Sequence, residues 1–123
     1  MQFAGAINPM YIMRDGMLIE SKGNRFSIGS YFDNRMRPFT NQETELQHGD
    51  IIYLFTDGYS DQFGGEDDRK MSLRRFREML MNIYTEEMSV QKRMLEEQLN
   101  TWMNSETQTD DICVIGIKIN KKN

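Results

Sequence analysis

The sequence predicts an α+β fold, in which antiparallel sheets and two helices form part of a layered α/β/β/α sandwich. Several strand-like runs come first, followed by two helical segments and one last strand, and this order favours an antiparallel sheet over alternating βαβ units. Two strands, 51–55 and 112–119, are apolar on both alternating faces. Their sheet therefore needs cover on both sides, by helices on one and a second sheet on the other. The 123 residues are enough for one modest domain and too few to fill four layers.

The strand-like runs are short and separated by turn residues. Asp15-Gly16 joins two of them and is a typical two-residue hairpin connection, because both positions of such a turn need positive φ. His48-Gly49-Asp50 predicts a turn immediately before the buried strand. In chain order the predicted strands are 2–7, 10–14, 17–21, 44–46, 51–55 and 112–119, and 62–70 is predicted to be a loop.

Apolar residues at helical spacing predict helices over 72–84 and 89–103. Ser72 is a suitable N-cap for the first of them. The apolar stripes are Leu73, Phe76, Leu80, Ile83 and Tyr84 on the first helix, and Met94, Leu95, Leu99 and Trp102 on the second.

Composition narrows the class of partner. A net charge of −4 argues against a nucleic-acid partner, because phosphate binding needs a surplus of Lys and Arg on one face. Acidic residues surround the basic stretch 69–77, which favours a solvated helix face over a phosphate-binding patch.

The single cysteine, Cys113, lies in an apolar run and is expected to be a small buried hydrophobe. No run reaches the roughly 20 apolar residues of a membrane span, and a reducing cytoplasmic location is expected.

Three aspartates stand at the ends of the two strands that are apolar on both faces. Asp57 follows the first strand, and Asp110 and Asp111 precede the second. If the two strands are neighbours, these carboxylates converge at one end of the sheet, where like charges would favour a bound cation. Oxygen-only ligands point to Mg²⁺ or Mn²⁺ rather than zinc. The alternative is that all three are ordinary turn and cap residues, and the residues alone leave both interpretations open.

Longer motifs favour the metal interpretation. Residues 49–61, GDIIYLFTDGYSD, resemble the "GD-apolar run-TDG-x-x-D/E" signature of the metal-dependent protein phosphatase superfamily that includes stage II sporulation protein E and the sigma-B regulating phosphatases. Residues 109–114, TDDICV, are similar to the closing "DD-I-T-V" segment of that family, with Cys113 where Thr is usual. Residues 3–9 resemble its "AGAxxP" element and 28–29 its "P-IG" element. The stretch 61–65 resembles a bacterial subset found at the C-terminus of sensor proteins.

The resemblance implies a serine/threonine phosphatase that hydrolyses phosphoserine or phosphothreonine on a regulatory protein of the anti-anti-sigma type. It implies two Mn²⁺ or Mg²⁺ ions and attack on phosphorus by a metal-bound water. Asp57 and Asp110 match the family's metal ligands. Gly58, Asp61 and Asp111 match weaker or outer positions.

One family motif has no counterpart in the sequence. It is the first Asp-Gly motif, whose aspartate bridges both metals and which precedes the "AGAxxP" element; Asp15-Gly16 lies after that element and is out of order. The chain is therefore expected to be the C-terminal portion of a single phosphatase domain, following a sensor domain and inactive alone. Unpaired strand edges are expected to favour a homodimer. The alternative function is a non-catalytic, phosphatase-like module that binds a signalling partner.

Overall fold

The structure is a computed structural model that describes residues 1–29 and 38–120. Within them it contains short strands and three helices. The strands are β1 Gln2–Phe3, β2 Met10–Arg14, β3 Met17–Ser21, β4 Gln42–Glu43, β5 Ile51–Phe55, β6 Phe63–Gly64, β7 Arg69–Lys70 and β8 Val114–Lys118, and the helices are α1 Gly58–Asp61, α2 Leu73–Ile83 and α3 Met88–Met103. The mixed α+β class with an antiparallel sheet is confirmed.

A four-stranded antiparallel sheet in the order β3-β2-β5-β8 is the centre of the molecule. Tyr53 of β5 pairs with Tyr11 of β2 on one side and with Gly116 of β8 on the other. Asp15 and Gly16 connect β2 to β3 with φ of 48° and 79°, so the predicted hairpin turn is confirmed.

Alternate residues of the central strands build two separate apolar clusters. Tyr11, Met13, Tyr53 and Phe55 face the helices, and the core on that side includes Phe76, Leu80 and Ile83 of α2 and Leu95 of α3. The opposite face carries Met10, Ile12 and Ile52, against which Phe3 and Leu46 pack. The small β1–β4 pair therefore contributes to a second layer, and the predicted cover on both faces is present over β2 and β5.

The last strand differs from its prediction. It was expected to be apolar and covered on both faces over 112–119, whereas β8 is an edge strand in which Ile115 is 48% exposed and Ile117 is 45% exposed. Cys113 is also exposed, which corrects its expected role as a buried hydrophobe. Ile115 and Ile117 pair with Leu54 and Ile52, so they lie on the face opposite the helices, and Cys113 shares that face by alternation. Within the described residues, the apolar cluster on that face covers β2 and β5 but does not include these three residues of the last strand segment.

Three smaller expectations were also wrong in their boundaries. The strand predicted over 2–7 ends at Phe3. Beyond it the chain bonds to Asn24 instead, through Gly5 O and Ile7 N, and the backbone has a positive φ of 64° at Ile7. The strand predicted over 44–46 lies instead at Gln42–Glu43, where it pairs with β1. The predicted loop 62–70 contains the β6–β7 hairpin, and α1 adds a single helical turn that the periodicity did not predict.

The predicted turn before β5 contains a buried ion pair. Asp50 is 1% exposed and accepts two hydrogen bonds from Arg14, from Nε at 2.9 Å and from the terminal guanidinium nitrogen at 2.6 Å. The backbone N–H of Gln47 donates a third at 2.8 Å. This network fixes the start of β5 against the end of β2. Among the described residues, no helix is long and apolar enough to cross a membrane.

Candidate metal centre

The first candidate ligand lies where β5 gives way to α1. Asp57 is the N-terminal cap residue of α1 by position, yet its side chain makes no capping hydrogen bond and is exposed. The described part of the chain gives its carboxylate no ion pair. Its backbone carbonyl accepts hydrogen bonds from Asp61 N at 2.9 Å and Ser60 Oγ at 3.1 Å. The turn is therefore held by backbone contacts, and the carboxylate is left available.

Thr56 joins this turn to the segment that carries the other aspartates. Its backbone N–H donates to Cys113 O at 3.0 Å, and its Oγ1 donates to Asp111 O at 2.8 Å. The same Oγ1 accepts from Cys113 N at 3.0 Å. These bonds continue the antiparallel pairing of β5 and β8 beyond the strands and bring the two ends together.

Gly58 allows the closest approach between the two segments. A Cβ at this position would lie 2.2 Å from Asp111 O and 2.9 Å from its carbonyl carbon, both of them backbone atoms. Any side chain here would push 110–111 away from α1. Gly58 therefore allows α1 and the segment 110–111 to pack closely. This contact is compatible with the outer position that the resemblance implies for Gly58.

The other predicted site residues lie on α1 and on the segment before β8, in different environments. Asp110 is exposed, and its Oδ1 accepts the backbone N–H of Asp111 at 2.7 Å. The side chain of Asp111 is exposed as well. Asp61 on α1 pairs with Lys70 of β7, with Nζ 3.2 Å from Oδ1. The structure thus brings Asp57, Gly58, Asp110 and Asp111 to one sheet end and places Asp61 beside a cation.

Comparison with known proteins identifies the domain. The stage II sporulation protein E (SpoIIE) family matches residues 2–120, which is nearly the whole chain. The chain belongs to the SpoIIE family. No curated protein sequence matches it.

Solved structures agree with this assignment. The chain is similar to the SiaA-PP2C domain of Pseudomonas aeruginosa, with 32% identity and a TM-score of 0.85 over 97% of this chain and 46% of that one. It also resembles the phosphatase domain of the cell fate determinant SpoIIE from Bacillus subtilis in an Mn-presoaked crystal, with 20% identity, a TM-score of 0.63, and coverage of 94% and 48%. The chain spans about half the length of these structures. Its fold is part of a PP2C-type phosphatase domain.

The donor atoms suit a hard divalent cation in kind but not in number. Carboxylate oxygens are the ligands that Mg²⁺ and Mn²⁺ prefer. Over residues 1–29 and 38–120, however, no group of three His, Cys, Asp or Glu side chains is placed to hold a metal ion. The aspartates are therefore candidate ligands, and the described residues do not form a complete metal site among themselves.

Sequence reasoning missed two residues that shape this site. Thr56 has no role in the sequence analysis beyond its place in a motif. In the structure it follows β5, and its side chain bonds Asp111 and Cys113 in the segment before β8. Gln62 was assigned to a loop, yet it is 0% exposed and bonds to Thr107 and Thr109. A polar residue within an otherwise turn-like run carries no periodic signal, so no pattern in the sequence could have separated Gln62 from a surface glutamine.

Two buried tyrosines near the site are structural donors. Tyr59 of α1 donates its hydroxyl hydrogen bond to Leu95 O at 2.8 Å, and burial raises the pKa of Tyr59 far above its usual value. Burial also raises the pKa of Tyr53 to about 12, and its hydroxyl donates to Gln91 Oε1 at 2.6 Å. Both phenols therefore stay protonated near neutral pH and donate their hydrogen bonds within the core.

Proposed function

We propose that this chain forms one part of the active site of a metal-dependent serine/threonine protein phosphatase, with Asp57 and Asp110 as carboxylate ligands for Mn²⁺ or Mg²⁺. The observation that carries the proposal is the joining of the two strand ends, in which Thr56 bonds Asp111 and Cys113 while Gly58 packs on the Asp111 backbone. Two exposed carboxylates at adjoining strand ends offer oxygen donors of the kind that Mg²⁺ and Mn²⁺ prefer.

The residues of this chain have distinct parts in the proposal. Asp57 and Asp110 bind the cation, and Gly58 keeps their segments close. Asp61 and Asp111 are outer carboxylates that orient water or the ligands. When bound, a pair of such ions lowers the pKa of water and neutralises the charge on a transferring phosphoryl group. The remaining ligands come from outside the described residues, which agrees with relatives about twice as long.

Substrate and setting are proposed on the family alone. We infer a phosphoserine or phosphothreonine on a regulatory protein, of the anti-anti-sigma type, in the cytoplasm and downstream of a sensor domain. The choice of Mn²⁺ is supported by the Mn-presoaked crystal of the Bacillus subtilis relative. The net charge of −4 favours a protein partner over a nucleic acid.

The test is phosphatase activity of the full-length protein on a phosphoserine peptide, with and without Mn²⁺. Asp57→Asn and Asp110→Asn are each expected to lower turnover by at least about 100-fold, because each removes a charged metal ligand. Asp67→Asn is the matched control, since Asp67 is an exposed aspartate that pairs with the exposed Arg69 on the β6–β7 hairpin. Its activity should remain within about twofold of wild type.

Two outcomes would separate enzyme from binding module. No turnover of the wild-type protein with any divalent cation would contradict the phosphatase proposal and favour a non-catalytic partner-binding module. Turnover that survives in both Asp57→Asn and Asp110→Asn would place the catalytic metal elsewhere.

A further inference from the structure

Gln62 is a fully buried amide side chain at the C-terminal end of α1, immediately after Asp61. Its Nε2 donates to Thr107 O at 2.9 Å and to Phe63 O at 3.1 Å. Its Oε1 accepts the backbone N–H of Thr109 at 3.4 Å. The one amide therefore holds the chain on both sides of Gln108.

Gln62 is itself held in place through its backbone. Its carbonyl oxygen accepts Trp102 Nε1 at 2.9 Å and Met71 N at 2.9 Å. Trp102 belongs to α3, and Met71 follows β7. The side chain therefore extends from a point fixed by the end of a helix and the base of the β6–β7 hairpin, so it offers a rigid reference for the segment that it binds.

The segment that it binds, residues 104–113 between α3 and β8, belongs to no helix or strand. Its backbone bonds lie near its two ends, where Glu106 N donates to Met103 O at 2.7 Å and Cys113 O accepts Thr56 N at 3.0 Å. Within the segment, Gln108 Nε2 donates to Asp110 O at 2.8 Å, which links Asp110 to the residue that the Gln62 contacts enclose. Asp110 follows directly after Thr109. The contacts of Gln62 on Thr107 and Thr109, and those of Thr56 on Asp111 and Cys113, hold Asp110 from its two sides.

We infer that Gln62 is a positioning residue, whose side-chain amide sets where Asp110 lies relative to Asp57 on α1. The inference rests on the proposed function, because it gives Gln62 a role in the metal centre. Both donor bonds of Nε2 end on carbonyl oxygens, so the site requires an amide. A carboxylate of the same shape would place its oxygens against Thr107 O and Phe63 O and would release the segment.

The chain offers a matched control in Gln91. It is 1% exposed and makes the same kind of bonds: its Nε2 donates to Tyr84 O and Glu86 O, and its Oε1 accepts from Tyr53. It lies on α3, and these bonds go to Tyr53, Tyr84 and Glu86 rather than to the segment that carries Asp110. Gln62→Glu and Gln91→Glu therefore remove equivalent donor bonds from equally buried positions, and only the first touches the Asp110 segment.

The experiment measures Mn²⁺ binding to the full-length protein by electron paramagnetic resonance of free Mn²⁺, together with hydrogen exchange at the Thr109 amide. Gln62→Glu is expected to weaken Mn²⁺ binding by about 10–100-fold, as loss of a residue that orients a ligand does. Thr109 exchange should accelerate as well. Gln91→Glu should leave Mn²⁺ affinity and the Thr109 exchange rate within about twofold of wild type. Its loss of thermal stability should be similar to that of Gln62→Glu. Gln62→Met, an apolar residue of similar length, should reproduce the loss of Mn²⁺ affinity.

The outcomes distinguish the two proposals. Wild-type protein that binds no Mn²⁺ would overturn the proposed function and this inference with it. Wild-type binding that Gln62→Glu and Gln91→Glu weaken equally would overturn the positioning role of Gln62 alone. Loss of folding in both Gln62 variants, with Gln91→Glu folded, would assign Gln62 to general stability and also overturn it.

Discussion

At the scale of single residues, the candidate ligands could be predicted but their supports could not. Asp57 and Asp110 were predicted to converge from motifs at two strand ends, and their segments do adjoin. Whether they bind metal stays a prediction. The contact of Arg14 with Asp50 was missed, because these residues are 36 positions apart and neither interrupts a periodic pattern. The predicted burial of Cys113 was wrong, because apolar neighbours in sequence do not show which part of a sheet face is covered by another layer.

The buried Asp50 carboxylate predicts a dependence of stability on pH. The hydrogen bonds from Arg14, and secondarily that from Gln47, hold the pKa of Asp50 below its ordinary 3.8. A depressed pKa in the folded state contributes stability above the unfolded value, and this contribution is lost as pH falls through the folded value. At pH 7, Asp50→Asn should lower the free energy of unfolding by about 2–3 kcal/mol.

Urea unfolding at several pH values measures this difference. It should shrink as the pH falls below about 3.8, because the unfolded wild-type chain then binds a proton at Asp50 while the folded state does not until the pH reaches its lower pKa. A difference that stays constant between pH 7 and pH 3 would show that the charge of Asp50 contributes nothing.

At the scale of elements, local pattern was sufficient where an element is long or its turn is specific. β2, β3 and β5 have the predicted bounds, and α2 begins after Ser72, whose Oγ accepts Arg75 N. Two-residue strands were missed or misplaced, because pairing between distant segments decides them. β1 pairs with β4, which lies about 40 residues later in the chain. The β6–β7 hairpin is held by a distant helix, because Gly65 donates its N–H to the Trp102 carbonyl of α3.

The docking of α2 on the sheet predicts unequal effects for two of its arginines. Arg77 donates to Tyr11 Oη at 2.8 Å and to Glu20 Oε1 at 2.8 Å, so it links α2 to β2 and β3. Arg74 is largely exposed and lies 3.9 Å from Glu78 on the same helix. Thermal or urea unfolding should show Arg77→Ala less stable by about 1–2 kcal/mol.

Arg74→Ala should change stability by no more than about 0.5 kcal/mol, as exposed helical ion pairs do. Equal losses in the two variants would mean that the Arg77 contacts with β2 and β3 add nothing to the packing of α2.

At the scale of the whole molecule, the fold class and the family were predicted from the sequence. How far each layer covers the central sheet could not be predicted, because it depends on packing between distant segments. The helix layer and the sheet are present, and β1 and β4 contribute to the opposite face. The β8 side of that face exposes Ile115 and Ile117. An unpaired edge with exposed β-branched residues is a template for strand addition.

This edge predicts self-association of the 123-residue chain. Sedimentation velocity over a range of concentrations should show dimers or larger species, and Ile117→Lys should reduce them, because a charge on an edge strand opposes pairing. Met81→Lys is the control, since Met81 is similarly exposed at 44% but lies on α2. A chain that stays monomeric at every concentration would contradict the predicted pairing.

The most direct measurement of the metal proposal is anomalous X-ray diffraction from a crystal of the full-length protein grown with Mn²⁺. The account predicts a manganese peak with the carboxylate oxygens of Asp57 and Asp110 at coordination distance, about 2.0–2.6 Å. It further predicts loss of that peak in the Asp57→Asn protein. A peak that touches neither aspartate, or the absence of any peak at saturating Mn²⁺, would contradict it.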